Sequence, residues 1–341
     1  MKMRMKDVAR DLGLSAVTVS KVLHNHPDIS EETRKRVLKR VKELNYQPNI
    51  AARSLITGQT WTMGLIVPDL LQPFFAQLAL VISREIREKG YSLLISSSEN
   101  NPEKEQNDIA HLLSRQVDCL LIASTQWQVS SFRQIEAQMT PYILLDRHFA
   151  GLTANFIGID DHAVGLLATR HLLQQGCKRI AHVRGPAIST AYGRLVGYQF
   201  ALQEADLPFV ADNVVTLVAD NDSNDMKGGY LAMQKLLDNP SIPDGVFCYN
   251  DSCALGVMRA LQERGLHIPE DVAVIGCGNL FYSDFLHVPL SSVDQGGNEV
   301  GLRAAHLALQ LATEKIQTEP QMQLIHPQLI IRESSRRESA A

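Results

Sequence analysis

From Trp61 onward the chain repeats one pattern, a short apolar run followed by a stretch of helical periodicity. TMGLIV, YSLLIS, DCLLIA and PYILLD are separated by segments such as FFAQLALVISREIREKG. The pattern then restarts with FIGID, KRIAHVRG, NVVTLV, DGVFCYN and DVAVIG. Apolar runs without polar alternation read as strands covered on both faces, which is the condition of a parallel sheet with crossover helices. Two successive sets predict an α/β body of two parallel-sheet lobes. LSSVDQ and the helix after it (297–313) are expected to cross back to the first lobe. LIHPQLIIRESS is expected to close the fold as one strand or a pair.

Residues 1–60 follow a different rule. KDVARDLG spaces Val8, Ala9 and Leu12 on one helical face and stops on Gly13. Ser15 is placed to cap AVTVSKVLH, whose Val19, Val22 and Leu23 face inward. Two short helices joined by a Gly-containing turn form a helix-turn-helix pattern. Ser30 with Glu31 and Glu32 opens a third helix with Val37, Leu38, Val41 and Leu44 as its apolar stripe. Charge separates the same two regions: 1–60 balance at +6 and the remainder at −10. A basic head on an acidic body points to a polyanion met only at the N-terminus.

In such a module the second helix leads into the major groove with its N-terminal residues. Here these are Ser15, Ala16, Val17 and Thr18, with Ser20 and Lys21 one turn on. Ala16 and Val17 are suited to a thymine methyl, and Lys21 to guanine or a phosphate. Between the head and the body lies PNIAARSLITG, a helix too short to hold alone in water. A partner must complete it. Two copies can pack through Ala51 and Ala52, leaving each Leu55 as a wedge for a minor-groove base step. Asn49 caps this hinge and is a candidate phosphate contact. Lys6, His24, Ser30 and Thr33 complete the candidate DNA-contacting set.

DVARDLGLSAVTVSKVLHNHPDISEETRKRVLKRVKELNYQPNIAARSL resembles the head and hinge of the lactose-repressor/galactose-repressor (LacI/GalR) family of bacterial transcription regulators. The resemblance runs without a gap through about the first sixty residues and continues in weaker motifs almost to the C-terminus. It implies a homodimeric repressor that binds near-palindromic double-stranded operator DNA under allosteric control by a small effector. It also implies a periplasmic-binding-protein-like core with three crossovers between lobes. The expected division is 1–47 for the DNA-binding domain, 48–60 for the hinge and 61–341 for the effector-binding and dimerisation domain. Within the last, lobe one is expected over about 61–160 plus 292–324, and lobe two over about 161–291 plus 325–341.

Ligands of open α/β sheets bind outside the carboxyl ends of the strands. Those ends carry Ser124, Asp146, Arg147, Asp160, Asn250, Asp251 and Gly278, a set suited to a small polar ligand. Phe74 and Phe75 follow a strand end and are candidates to stack on a sugar or base face. Asp160 reads as a helix cap. By resemblance, Asp146 after ILL, Asn250 in YNDSCALG and Gln295 in SSVDQ bind effector hydroxyls or amides. Arg194 in GRLVGY holds an anionic or hydroxylated group by the same resemblance. One position departs from the family: VIGCGN puts Gly278 where many members have an aspartate that grips sugar hydroxyls, and Asn279 or Asp284 are its candidate substitutes. The expected effector is therefore bulkier than a monosaccharide, or a sugar acid or sugar phosphate.

Enzymes are disfavoured. VIGCG is only a fragment of a dinucleotide fingerprint, and neither a GxSxG elbow nor a GxxxxGK[ST] loop is present. His24 and His26 have no further metal ligand near them in sequence. Neither a cofactor nor a metal is expected. The five cysteines lack CxxC spacing and read as buried thiols. MKMRMKDVARDLG has no apolar stretch behind its basic residues, so the expectation is a cytoplasmic protein with no membrane contact.

Overall fold

A serine hydroxyl sets the start of the second helix of the head. Ser15 Oγ accepts the Thr18 N–H at 3.0 Å, so α2 (Ala16–Leu23) begins where the sequence places it. Before it, α1 (Met5–Leu12) ends on Gly13 at φ +65°, a left-handed turn that glycine adopts without cost. α3 (Glu31–Glu43) is capped by Ser30, which accepts the Thr33 N–H at 3.3 Å. Val8, Ala9, Val19, Val22, Val37 and Tyr46 form the small core. Leu38 does not join them: it stands exposed, because its neighbour Val37 already fills the inward position and successive helical residues point apart. The computed structural model describes residues 4–23, 26–46, 54, 58–217, 225–314 and 319–337. His24, Asn49, Ala52, Leu55 and most of the expected hinge helix lie outside them.

Residues 1–60 and 61–341 are two separate units. In the second, β1 (Thr62–Val67), β2 (Ser92–Ser97), β3 (Cys119–Ile122), β4 (Tyr142–Leu145) and β5 (Asn155–Ile159) form a parallel sheet. With β11 (Met322–Ile325) at one edge its order is β11-β5-β4-β3-β1-β2. Both faces are covered, as the apolar runs require. Met63, Leu65 and Val67 pack with α4 (Pro73–Glu88), while Ile66 turns to α5 (Pro102–Ser114). Each fully buried aliphatic side chain of this kind contributes roughly 1.5–3 kcal/mol. α6 (Arg133–Ala137) completes this lobe.

The second sheet repeats the scheme as β12-β10-β9-β8-β6-β7. Its strands are β6 (Ile180–Arg184), β7 (Val214–Thr216), β8 (Gly245–Cys248), β9 (Ala273–Cys277), β10 (Ser291–Asp294) and β12 (Gln328–Ile330). Only β12 runs antiparallel to its neighbour, β10. α7 (Asp161–Gln174), α8 (Ser189–Glu204), α9 (Asp225–Leu237) and α10 (Asp251–Glu263) cover it. The chain passes between lobes after β5, after β10 and between β11 and β12. The second passage differs from expectation. LSSVDQ stays in the second lobe, with Ser291 paired to Ile275, and only α11 (Gly297–Glu314) crosses to lie on α4. Ser291 and Ser292 are buried hydroxyls that bond inside the second lobe, to Arg332 and Asp251, which fixes the strand there. All five cysteines are free and buried.

Candidate functional site

The head presents one face of α2. Val17 is 65% exposed at the start of that helix, an apolar side chain with nothing of its own module to cover. Ala16 and Thr18 are half-buried beside it, and Lys6 is exposed. Ser15 and Thr18 share a hydroxyl–hydroxyl bond of 2.9 Å, and Ser30 donates to Thr33 Oγ1 at 2.9 Å. These four side chains set helix ends first. Lys21 reaches Asp28 at 2.5 Å, and Asp28 also meets His26 Nδ1 at 2.6 Å. An exposed pair of this kind is worth little and can open to a phosphate. Lys35, Arg36 and Lys39 are exposed on α3, so the positive charge of the head faces solvent.

In the body, both sheets reverse strand order next to their first strand, between β1 and β3 and between β6 and β8. Such switch points open a crevice at the carboxyl ends. The two sets of ends face each other. The His148 N–H, beyond β4, donates to Ser189 Oγ at 3.2 Å, and Gln72 before α4 donates to Asp225 at 2.7 Å.

Asp146 acts on the charge of Arg194, and Arg194 bonds the carbonyl of Tyr249, the residue before Asn250. Arg194 is nearly fully buried; its Nε–H donates to Asp161 Oδ1 at 2.9 Å and an Nη1–H to the Tyr249 carbonyl at 2.5 Å. Its guanidinium also lies 4.8 Å from the Tyr249 ring centroid. Burial opposes the Arg194 charge, but Cys277, Asp161, Tyr249 and Asp146 around it outweigh burial and raise its pKa. Asp146 sits at φ +61° and is buried. Burial raises its pKa, with Arg147 and Arg194 pulling the other way. Asn250 caps α10 by accepting the Cys253 N–H at 2.8 Å and donates to Asp225 Oδ2 at 2.6 Å. Gln295 is buried at the end of β10. The ensemble can order hydroxyls and amides by hydrogen bonds.

Two expected contacts are altered by the packing. Phe75 points into the core of the first lobe, and only Phe74 stays half-buried beside it, ring edge to ring face at 5.3 Å. Ser124 is buried and donates to Glu105 Oε1 at 2.5 Å. Glu105 has no exposure and needs such donors, taking the Thr125 hydroxyl as well at 2.7 Å.

Gly278 adopts φ +132°, where an L side chain is strained, and the nearest atom to an added Cβ is Asp251 Oδ2 at 3.6 Å. The glycine is therefore a backbone requirement here as well as a missing carboxylate. Neither candidate substitute is uncommitted: Asn279 donates to Asp294 at 2.9 Å, and Asp284 pairs with Arg332. Asp160 caps α7 as expected, accepting the Ala163 N–H at 2.9 Å.

Sequence reasoning passed over Asp161, Tyr249, Gln72 and Asp225. The doubled acid Asp160-Asp161 was the available signal for the first, since one cap needs only one carboxylate. Among the described residues no group of acids, histidines and cysteines is arranged to hold a metal, and no helix is long and apolar enough to cross a membrane.

Known proteins share both parts. Residues 4–49 match the family described as bacterial regulatory proteins, lacI family. Residues 60–333 match periplasmic binding proteins and sugar binding domain of LacI family. The HTH-type transcriptional repressor PurR of Actinobacillus pleuropneumoniae serotype 3 (strain JL03) is 32% identical over 334 residues, covering 97% of this chain and 98% of the relative. A Lac repressor dimer bound to operator and the anti-inducer ONPF superposes with a TM-score of 0.85 at 25% identity, over 98% of this chain and 99% of that one. The transcriptional regulator CelR in complex with cellobiose gives a TM-score of 0.75 at 27% identity, over 97% and 99%.

Proposed function

The chain belongs to the LacI family of bacterial regulatory proteins, and from that premise we propose a homodimeric repressor whose operator affinity is set by a small polar effector. α2 reads the operator, residues 48–60 act as the hinge with Leu55 as its wedge, and the crevice of 61–341 holds the effector. The observation that carries the effector reading is Arg194 at the facing strand ends, with Asp146 near its charge and the Tyr249 carbonyl, next to Asn250 in the chain, as its acceptor.

The same observation narrows the ligand. Arg194 already faces Asp161, with Asp146 close by, so its charge is met from within. A carboxylate or phosphate on the effector would enter a site already carrying acids. An uncharged ligand rich in hydroxyl or N–H donors suits it better, with Phe74 against one apolar face. This favours a neutral oligosaccharide or a base over the sugar acid or phosphate that the sequence suggests. CelR, whose structure is a complex with cellobiose, is a protein of similar architecture for the first of these.

The test is fluorescence anisotropy with DNA from upstream of the chain's own gene, over a salt series. Cellobiose, other disaccharides, hexoses, purine bases and sugar phosphates are added in turn. The expected result is salt-dependent binding to a near-palindrome, changed by a neutral compound. Absence of specific binding at every salt concentration refutes the repressor. A response confined to sugar phosphates refutes the ligand class.

A further inference from the structure

Asp225 occupies a position that neither lobe can explain alone. It is the first residue of α9 in the second lobe, and a single carboxylate oxygen, Oδ2, accepts two amide N–H groups. One comes from Asn250 of the same lobe at 2.6 Å. The other comes from Gln72 of the first lobe at 2.7 Å, at the N-terminal end of α4. We propose that Asp225 is the latch of the crevice, holding the lobes closed through Gln72 while engaging the Asn250 amide that an effector would bind. The tie between the lobes stands on these two bonds alone; only the effector's action on it, through Asn250, rests on reading the crevice as the effector site.

One half of this clasp is rigid. α9 and α10 touch backbone to backbone at Gly229 and Gly256. An added Cβ at Gly256 would lie 1.8 Å from the Met226 carbonyl oxygen, and one at Gly229 would lie 2.1 Å from that of Cys253. The two helices therefore carry Asp225 and Asn250 as one piece. The Asn250 amide is also fixed in orientation, because its oxygen accepts the Cys253 N–H and its nitrogen must then point to Asp225. Gln72 is the movable half. A carboxylate is a stronger acceptor than a neutral oxygen, so the Gln72 contact favours the closed arrangement more than an ordinary amide bond. His148 and Ser189 tie the lobes together by a second contact, so loss of the latch shifts the balance without releasing it entirely. An effector that takes up the Asn250 amide changes the hold of Asp225 on Gln72, and in this way changes lobe closure.

The experiment uses the full chain without DNA or effector. Hydrogen–deuterium exchange is followed in peptides covering 142–149 and 189–198 for wild type, Gln72→Ala, Asp225→Ala and the double variant. Either single change is expected to raise exchange in these peptides about tenfold, the scale of one hydrogen bond to a charged group. The double variant is expected to match the singles, because both break one clasp. Unchanged exchange in Gln72→Ala, or fully additive effects, overturns the latch. If Asp225→Ala does not fold, Gln72→Ala carries the test alone, since it removes only an amide at the surface of the first lobe. No ligand enters this measurement. A wild type that ignores every compound in the anisotropy panel defeats the effector reading and leaves the latch standing, whereas failed exchange with an intact ligand response does the reverse.

Discussion

Arg194 and Asp161 are joined at 2.9 Å from adjacent helices, the arginine midway along α8 and the aspartate at the head of α7. The pair lies almost out of water, and the carboxylate is held against its own preference. Burial, opposed by Arg194 and reinforced by Asp146 and Asp160, leaves the Asp161 pKa raised to about 6. A carboxyl whose folded pKa exceeds its unfolded value of about 4 binds its proton more tightly in the folded chain. Its contribution to stability is then largest below about pH 4 and is lost as pH rises through about 6. In Asp161→Asn this component of the slope disappears, flattening stability against pH by up to about 1.4 kcal/mol per unit in that window. Urea midpoints of both proteins between pH 4.5 and 7 check it, and parallel curves would contradict the assignment.

The contact exists because α7 and α8 pack through glycines. A Cβ at Gly165 would lie 2.0 Å from the Arg194 carbonyl oxygen, and one at Gly197 would lie 2.1 Å from that of His162. Backbone cannot yield as a flexible side chain can. Gly165→Ala is therefore expected to cost about 1–3 kcal/mol, the usual range for overpacking, and to weaken ligand response by displacing Arg194. Thermal unfolding gives the first effect, and the anisotropy panel gives the second. A stable, responsive Gly165→Ala protein would show that the helices can part without harm.

These relationships divide what the sequence discloses from what it hides. The strands were legible because a strand covered on both faces must be apolar throughout, and TMGLIV or DCLLIA has no other reading of comparable simplicity. The caps Ser15, Ser30 and Asp160 were legible for a local reason, since each bonds an N–H three residues on. Phe75 and Leu38 were misjudged because adjacent helical residues look alike in sequence while only one of them can face the core. Glu105 resembles a surface acid in PEKEQND, yet it is buried, and that burial occupies Ser124. The Arg194–Asp161 pair and the Asp225 clasp depend on how helices far apart in the chain approach each other. No periodicity records that distance.

Val17 offers the sharpest test of the head. It projects from the first turn of α2 with no hydrogen-bonding group, flanked by Ser15 and Thr18, whose hydroxyls bond each other. Such a side chain reads a thymine methyl or excludes a bulkier base edge. Replacing Val17 with Ser is expected to change preference at one symmetric pair of operator positions by about 1–3 kcal/mol per mismatched pair. Selection from a randomised operator library measures this directly. A uniform loss across all sequences would make α2 a backbone clamp.

The proposed repressor needs two heads on a near-palindromic operator, and the exposed rings after β9 are the surface on which a second copy is expected to dock. Phe281 and Phe285 are 83% and 86% exposed on the loop after β9. Tyr282 touches Phe281 edge-on at 5.2 Å, and Arg332 pins the loop through Asp284, Asn279 and the Leu290 carbonyl. The segment is therefore anchored while its rings face outward, an arrangement costly for a monomer in water and natural for a self-complementary contact. Phe285→Lys is expected to raise the dimer dissociation constant by tenfold or more, about 1.4 kcal/mol or above, with no loss of folded structure. Operator affinity should fall with it, since each monomer then reaches only one half-site. Sedimentation velocity over a dilution series measures the first change, and anisotropy on whole and half operators the second. A Phe285→Lys protein that remains dimeric and still prefers the whole operator would place the dimer contact elsewhere on the body.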